Sequence, residues 1–356
     1  MDANPLIGVF YHWLGGLSSA SFYVPYRGIK RWNWEIFWLT GGIFSWVVMP
    51  WVMGSILVPD LFGIMAEIPA RIVGLCVLFG VMWGFGGLTY GLTMRYLGLS
   101  LGMAVVLGLC TVFGTLIPPL VQGDFAAKLL DTLSGRIVLL GLGITVLGIC
   151  VVAMAGAAKD RAQSPEEKAA TVAEFNFRKG ILVAIFSGVM SACFAFGLAA
   201  GEPVKAIAAA HGAGPLWTGL PVLCLVMFGG LLTNGVWCLI LTRRNGSAGQ
   251  WLGRGEAQGE TAPAPLAFNY ALAILGGSLW YFQFFFYTMG ESNMGRYGFS
   301  SWVLHMASII IFGTLWGFAL KEWKGASAGV KATVVGGIVI LLAATVTIGY
   351  GNRLGG

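Results

Sequence analysis

Charge is what this chain has least of. Of its 356 residues only 15 are acidic and 21 basic, so charged side chains make up 10%, where a soluble domain carries about 25%. Histidine is scarcer still, with three in all. No Walker-type GxxxxGK[ST] run occurs, so the chain brings no means of its own for using ATP. The six cysteines, Cys76, Cys110, Cys150, Cys193, Cys224 and Cys238, fall inside apolar stretches with neither metal-ligand spacing nor a disulfide framework. They read as packing residues, and no metal or cofactor is expected. The stretch before "SSAS" at 18–21 has no Lys or Arg and carries Asp2, so it lacks the basic start of a signal peptide and is expected to be retained.

What is abundant is apolar. The chain is 57% hydrophobic with a mean hydropathy of +0.80. Runs of about twenty apolar residues, the length that crosses a hydrocarbon core, recur at 5–25, 35–57, 71–92, 98–119, 136–157, 180–200, 215–242, 267–289, 298–320 and 330–350. The expectation is an all-α integral membrane protein with ten transmembrane helices and no sizeable soluble domain. Numbered that way, the connections after odd helices hold Arg27, Lys30, Arg31, Arg95, Lys159, Arg161, Lys168, Arg178, Lys179, Arg243, Arg244, Arg254, Lys321, Lys324 and Lys331, which is 15 of the 21 basic residues. Basic residues stay on the cytoplasmic side, so both termini are expected outside the cytoplasm. The net charge of +6 thus reports topology and not a nucleic-acid partner.

The chain also repeats itself. "WGFGGLTYGLTMRYLG" at 83–98 and "WYFQFFFYTMGESNMG" at 280–295 share Trp83 and Trp280, Tyr90 and Tyr287, and Gly98 and Gly295 at one offset of 197. "FGTL" occurs at 113–116 and 312–315, "SASF" at 19–22 matches "SACF" at 191–194, and "GG" at 41–42 matches "GG" at 229–230. The expectation is a first five-helix repeat over 1–157, a cytoplasmic connector at 158–179, and a second repeat over 180–356 with a polar cytoplasmic loop at 243–266. Five is odd, so the two copies start on opposite faces, the inverted arrangement many secondary transporters use.

Ionisable groups inside a span are functional candidates by default. His12 in "FYHWLGG" and His305 in "SSWVLHM" lie at similar depth from the same face, and histidine changes charge near pH 6.5, so both are proton-coupling candidates. The alternative is packing histidines bonded to backbone carbonyls. Glu35 opens helix 2 and is either a third proton candidate or a carboxylate on the helix dipole. Glu202, Arg95 and Glu322 read as gate or rim charges, with Lys205, Glu291 and Arg296 as interfacial groups. Among uncharged groups, Gln283, Tyr90 and Asn234 can donate and accept hydrogen bonds. Trp13, Trp83, Trp280, Tyr281, Phe285 and Tyr287 offer ring faces. A sugar needs both kinds of contact, so "WYFQFFFY" reads as a wall of a solute pocket.

Together "NWEIFWLTGGIFSWVVMPW", "YGLTMRYLGLSLG", "WYFQFFFYTMG", "SWVLHM" and "LKEW" resemble the bacterial L-rhamnose–proton symporters of the drug/metabolite transporter superfamily. The resemblance runs in order from the first helix to the tenth. It implies ten helices in a five-plus-five inverted-topology repeat, a place in the bacterial inner membrane, and uptake of a 6-deoxyhexose coupled to a proton. His12, Glu35, Tyr90, Arg95, Gln283 and His305 sit on positions matching the family's recurring polar residues. The loop 243–266 and the glycine-rich tail have no match. A facilitator or exporter on the same fold, a membrane-bound sugar sensor and a lipid-modifying enzyme are the alternatives. No output domain and no clustered nucleophile and base support the last two. The partners expected are a sugar, a proton and the bilayer, and the sequence leaves the oligomeric state open.

Overall fold

In hydrocarbon a backbone must satisfy its own N–H and C=O groups, and a helix does so within one segment. In a computed structural model, which describes residues 4–97, 99–162, 176–254 and 264–355, every regular element among the described residues is helical. The expected connector and polar loop lie partly outside the described residues.

Helix α1 (Pro5–Ser21) starts on a cap from Asn4, whose Oδ1 accepts from the Leu6 N–H at 3.1 Å. A single turn, Tyr23–Tyr26, follows it. Helix α2 (Trp34–Ile43) runs through a π-helical turn, Phe44–Val48, into α3 (Met49–Leu57). Then come the short α4 (Leu61–Glu67), α5 (Ala70–Leu97), α6 (Leu99–Gln122), α7 (Leu133–Arg161), α8 (Phe177–Ala200), the short α9 (Glu202–Ala210), α10 (Leu220–Asn245), α11 (Leu266–Ser292), α12 (Ser301–Ala319) and α13 (Ala328–Gly355).

Among the described residues, eight segments are long and apolar enough to cross a membrane: Trp34–Leu57, Ala70–Thr93, Gly102–Gln122, Leu133–Lys159, Phe177–Ala210, Leu220–Asn245, Gly298–Ala319 and Ala328–Leu354. The chain is therefore an all-helical integral membrane protein. Two of the ten expected spans stand outside that set. Helix α1 has 17 residues, about 25 Å at 1.5 Å per residue, and only the single turn Tyr23–Tyr26 follows it. Helix α11 has 27 residues but carries Asn269, Gln283 and Glu291.

Packing is by pairs. Helix α1 lies against α11 and α12, α8 against α5 and α6, and α10 against α5. Helix α11 meets α2, α6 meets α12, and α7 pairs with α13. Lipid gives helices no hydrophobic reason to associate, so small residues that let backbones touch decide where they do. A Cβ on Gly80 would strike the Val226 carbonyl of α10, and one on Gly277 would strike the Gly41 carbonyl of α2.

Both described ends of the chain come to one end of the bundle, where Asn352 Nδ2 donates to Ser300 Oγ at 2.8 Å and Gly8 lies against Met294. Arg27, Arg243, Arg244 and Lys321 sit at the other end, called the basic end below. Near the first end, His211 ties α4 to α9. Its Nδ1 is 3.1 Å from Asp60 Oδ2 and its Nε2 is 3.1 Å from Glu67 Oε1. The hydrogen bond to Glu67, helped by Asp60, holds the imidazole above its ordinary 6.5. Stability from this tie is thus fully present below about pH 6.5 and is lost as pH rises through the raised folded value. Thermal midpoints of wild type and His211→Gln, measured from about pH 5 to about pH 9, are expected to differ at the acidic end and converge at the alkaline end. A gap that widens with pH would contradict the assignment.

Candidate functional site

The end that gathers α6, α8, α9 and α11 is open. Short side chains there, Gly114, Ala195, Ala199, Ala206 and Ala209, leave a cavity of about 730 Å³, within the range of small-molecule sites. Its polar lining includes Gln122 and Lys128 as well as a linked group of charges. Lys205 Nζ bridges Glu202 at 2.7 Å and Glu291 at 2.9 Å, and Thr288 is beside them. Deeper in, Tyr287 and Trp302 line the cavity with ring centroids 5.8 Å apart. Trp302 is fixed by donating its Nε1–H to the Cys110 carbonyl at 3.0 Å, and only a glycine at 114 leaves its ring room. A neutral, hydroxyl-rich solute can lay an apolar face on these rings and exchange hydrogen bonds with Thr288, Glu291 and Lys205.

Beneath that floor lie the two histidines. Tyr287 stands between them and the cavity, 5.3 Å from the His12 ring and 5.4 Å from the His305 ring, and the histidines are 6.3 Å from each other. They are almost fully buried, and none of their four ring nitrogens has a hydrogen-bond partner among the described residues. A buried polar atom left unpaired costs about 1–3 kcal/mol, so four in one place call for a functional reason. The backbone around them is tightly held. Ser308 Oγ lies 2.9 Å from the His12 carbonyl oxygen and 2.7 Å from that of His305, sharing its proton between them. Gly290 makes space for the His12 ring, since a Cβ there would sit 2.7 Å from it. Gln283, one turn before Tyr287, is buried here with its Nε2 unpartnered, and its carbonyl faces Gly15 of α1.

The remaining sequence candidates divide. Trp83 and Trp280 stack on one another at 6.4 Å with an interplanar angle of 11°. Phe194 packs on Trp83 at 4.8 Å and Phe22 on Trp280 at 4.4 Å. With Trp302 6.2 Å from Phe194, a column of rings runs from the cavity floor towards the basic end. Asn234 borders this column, accepting from Trp38 Nε1 at 3.1 Å. Tyr281 and Phe285 instead turn into the core, with Phe285 stacked 5.7 Å from Trp217. Trp13 packs on Phe312 at 5.8 Å, and Tyr90 joins Leu97, Val106 and Ala184 in a separate cluster.

Glu35 is at the basic end, where its Oε1 accepts from Ser247 Oγ at 2.7 Å, Asn245 Nδ2 at 3.0 Å and Asn33 Nδ2 at 3.3 Å. It ties α2 to the end of α10. Glu322 also lies there, 3.0 Å from Arg27. Glu202 is at the cavity mouth, and the Arg95 side chain is outside the description. Sequence reading did not single out Trp302, although its place three residues before His305 puts it on the same helix face. It also left Lys205 and Glu291 at the interface, whereas they face into the cavity.

A membrane-embedded helical bundle with a cavity of this size, a buried titratable pair and a ring-lined path beyond it is built as a carrier of small solutes. Residues 1–353 match the family model described as the L-rhamnose-proton symport protein (RhaT). Proteins named L-rhamnose-proton symporter from Salmonella typhimurium and Salmonella newport are 36% identical to this chain over 346 residues, covering 97% of each sequence. The chain belongs to the L-rhamnose–proton symporter family and is a multi-pass inner-membrane transporter, not an enzyme.

The packing around His12 gives a direct check. Gly290→Ala drives a methyl into the ring, and overpacking of this kind costs about 1–3 kcal/mol. Gly74→Ala on α5 meets nothing within 4 Å and replaces the poorer helix former, a gain of up to about 1 kcal/mol. Thermal unfolding in detergent is expected to show the first variant less stable than wild type and the second equal or better.

Proposed function

We propose that this protein takes up L-rhamnose, or a closely related 6-deoxyhexose, together with a proton, across the bacterial inner membrane by alternating access. The observation that carries the reading is the cavity whose floor, Tyr287, separates it by a single ring from a histidine pair with no hydrogen-bond partner among the described residues. The names of the relatives supply the sugar and the coupling ion.

The cavity end faces the periplasm on this reading, with both termini, because the basic residues crowd the opposite end. Ten crossings in a five-plus-five inverted repeat fit the packing: exchanging the halves turns α1 on α11 and α12 into α8 on α5 and α6, and α11 on α2 into α5 on α10. The ring column has the same symmetry. Phe22 on Trp280 corresponds to Phe194 on Trp83 by the sequence matches of 19–22 with 191–194 and of 83 with 280. The glycine contacts correspond as well, Gly41 with Gly277 and Gly229 with Gly80.

With the cavity open outward, sugar lies on Trp302 and Tyr287 and bonds to Thr288, Glu291 and Lys205. The histidine pair takes one proton and not two, since two charges about 6 Å apart repel by roughly 2–3 kcal/mol at an effective dielectric near 20. Loading of both sites favours the inward-open form. Coupling requires sugar to bind the protonated form more tightly, because a ligand shifts an equilibrium only by its differential affinity. Arg27 with Glu322, and Glu35 with its three donors, hold the basic end shut until then. The proton is the only coupling species invoked.

Radiolabelled L-rhamnose uptake into transporter-deficient cells, with and without a protonophore, tests the reading. Concentrative uptake that the protonophore abolishes is the expected result. His12→Asn and His305→Asn are each expected to collapse accumulation to the equilibrium ratio while exchange continues. Uptake that equilibrates and ignores the protonophore would make the protein a facilitator. Accumulation retained by both variants would move the proton elsewhere.

A further inference from the structure

The ring column does not end at Phe22. Beyond it lies a second pocket, nearly closed at about 10 Å³ and lined by Phe22, Tyr26, Trp38, Ser45, Trp46 and Trp280, with room for about one water. Three donors around it, Ser45 Oγ, Trp46 Nε1 and Trp280 Nε1, have no hydrogen-bond partner among the described residues. Ser45 is 1% and Trp46 2% exposed. Unpaired buried donors are destabilising, and three of them on residues that line one small space call for a reason.

The local backbone is irregular at the same place. Ser45 and Trp46 lie on the π-helical turn Phe44–Val48, a distortion that recurs at functional sites. Gly42, one turn earlier, leaves space for the Trp46 ring, which a Cβ there would enter. No charged side chain among the described residues lines the pocket, so it suits a neutral ligand. The two indole N–H groups can only donate, and the Ser45 hydroxyl can donate or accept, so the ligand must carry acceptors. The walls are ring faces, so it must also present an apolar side. A pyranose meets all three conditions, with hydroxyl oxygens accepting from the indole N–H groups and the serine, and C–H faces against the indoles.

We propose that this pocket is a cytoplasmic-side sugar site, collapsed while the cavity is open and expanded when the cavity closes. The proposal rests on the transport reading above. Ser45→Ala removes one donor with little change of shape, and Trp46→Phe removes an indole N–H while keeping a ring. Half-saturation for radiolabelled L-rhamnose is measured in right-side-out and inverted vesicles. The ratio of inner to outer KM is expected to rise about five- to tenfold in each variant, the loss that goes with one neutral hydrogen bond. An unchanged ratio in both variants, whether the two KM values stay put or rise together, would overturn the proposal and leave the transport reading intact. Wild-type vesicles that move no rhamnose from either face would overturn the reading and this proposal together.

Discussion

Backbone against backbone, with no side chain between, is the contact on which the bundle depends. Gly80 of α5 meets α10 at Val226 and Gly229, and Gly277 of α11 meets α2 at Gly41. Lipid offers no hydrophobic gain for helix association, so close approach and its dispersion contacts must supply the adhesion. Those two crossings bring α5 and α11 near enough for Trp83 and Trp280 to stack. From that stack the ring column extends both ways, to the open cavity and to the closed pocket. A third set of bare positions, Gly8, Gly15 and Gly16 of α1, seats His12 beside His305. Fold and site therefore share one cause.

Unpartnered buried polar atoms occur in several places, Trp13, Thr242, Tyr281 and Asn352 among them, but those around the site contrast with the groups that tie helices together. Glu35 has three donors, Asn269 links α11 to Lys30 through its N–H and carbonyl at 3.1 and 2.7 Å, and Ser187 Oγ donates to the Gly86 carbonyl at 2.9 Å. These are satisfied and hold helices in register. His12, His305, Gln283, Ser45, Trp46 and Trp280 carry atoms with no partner among the described residues. They lie along the ring column or directly beneath the cavity floor. A transporter must keep its contacts weak enough to exchange, and donors left free in one arrangement are what a passing solute can use.

Much of this was legible in the sequence. The matches "SASF" with "SACF" and Trp83 with Trp280 marked the four rings Phe22, Phe194, Trp83 and Trp280 that form the column. The sequence placed His12 and His305 at a shared depth, and the fold brings their ring centroids to 6.3 Å. What sequence could not give was facing. Eight aromatic and amide positions from Trp280 to Tyr287 cover every side of a helix, and only packing tells that Tyr287 faces the cavity while Tyr281 and Phe285 face the core. Glu35 was ambiguous because its partners Asn245 and Ser247 are about 210 residues away in sequence. Lys205 and Glu291 looked interfacial because both lie near helix ends. The π-helical turn at Ser45 and Trp46 has no sequence signature of its own.

The claim beneath all of this is that the two halves exchange shapes about the glycine crossings, closing one cavity as the other opens. The most direct measurement is the distance between spin labels placed at Gln122 of α6 and Ala209 of α9, both lining the cavity, with and without saturating L-rhamnose at acidic pH. A shorter-distance population that grows with sugar is the expected result. A distribution that sugar leaves unchanged, in protein shown to transport, would contradict the account.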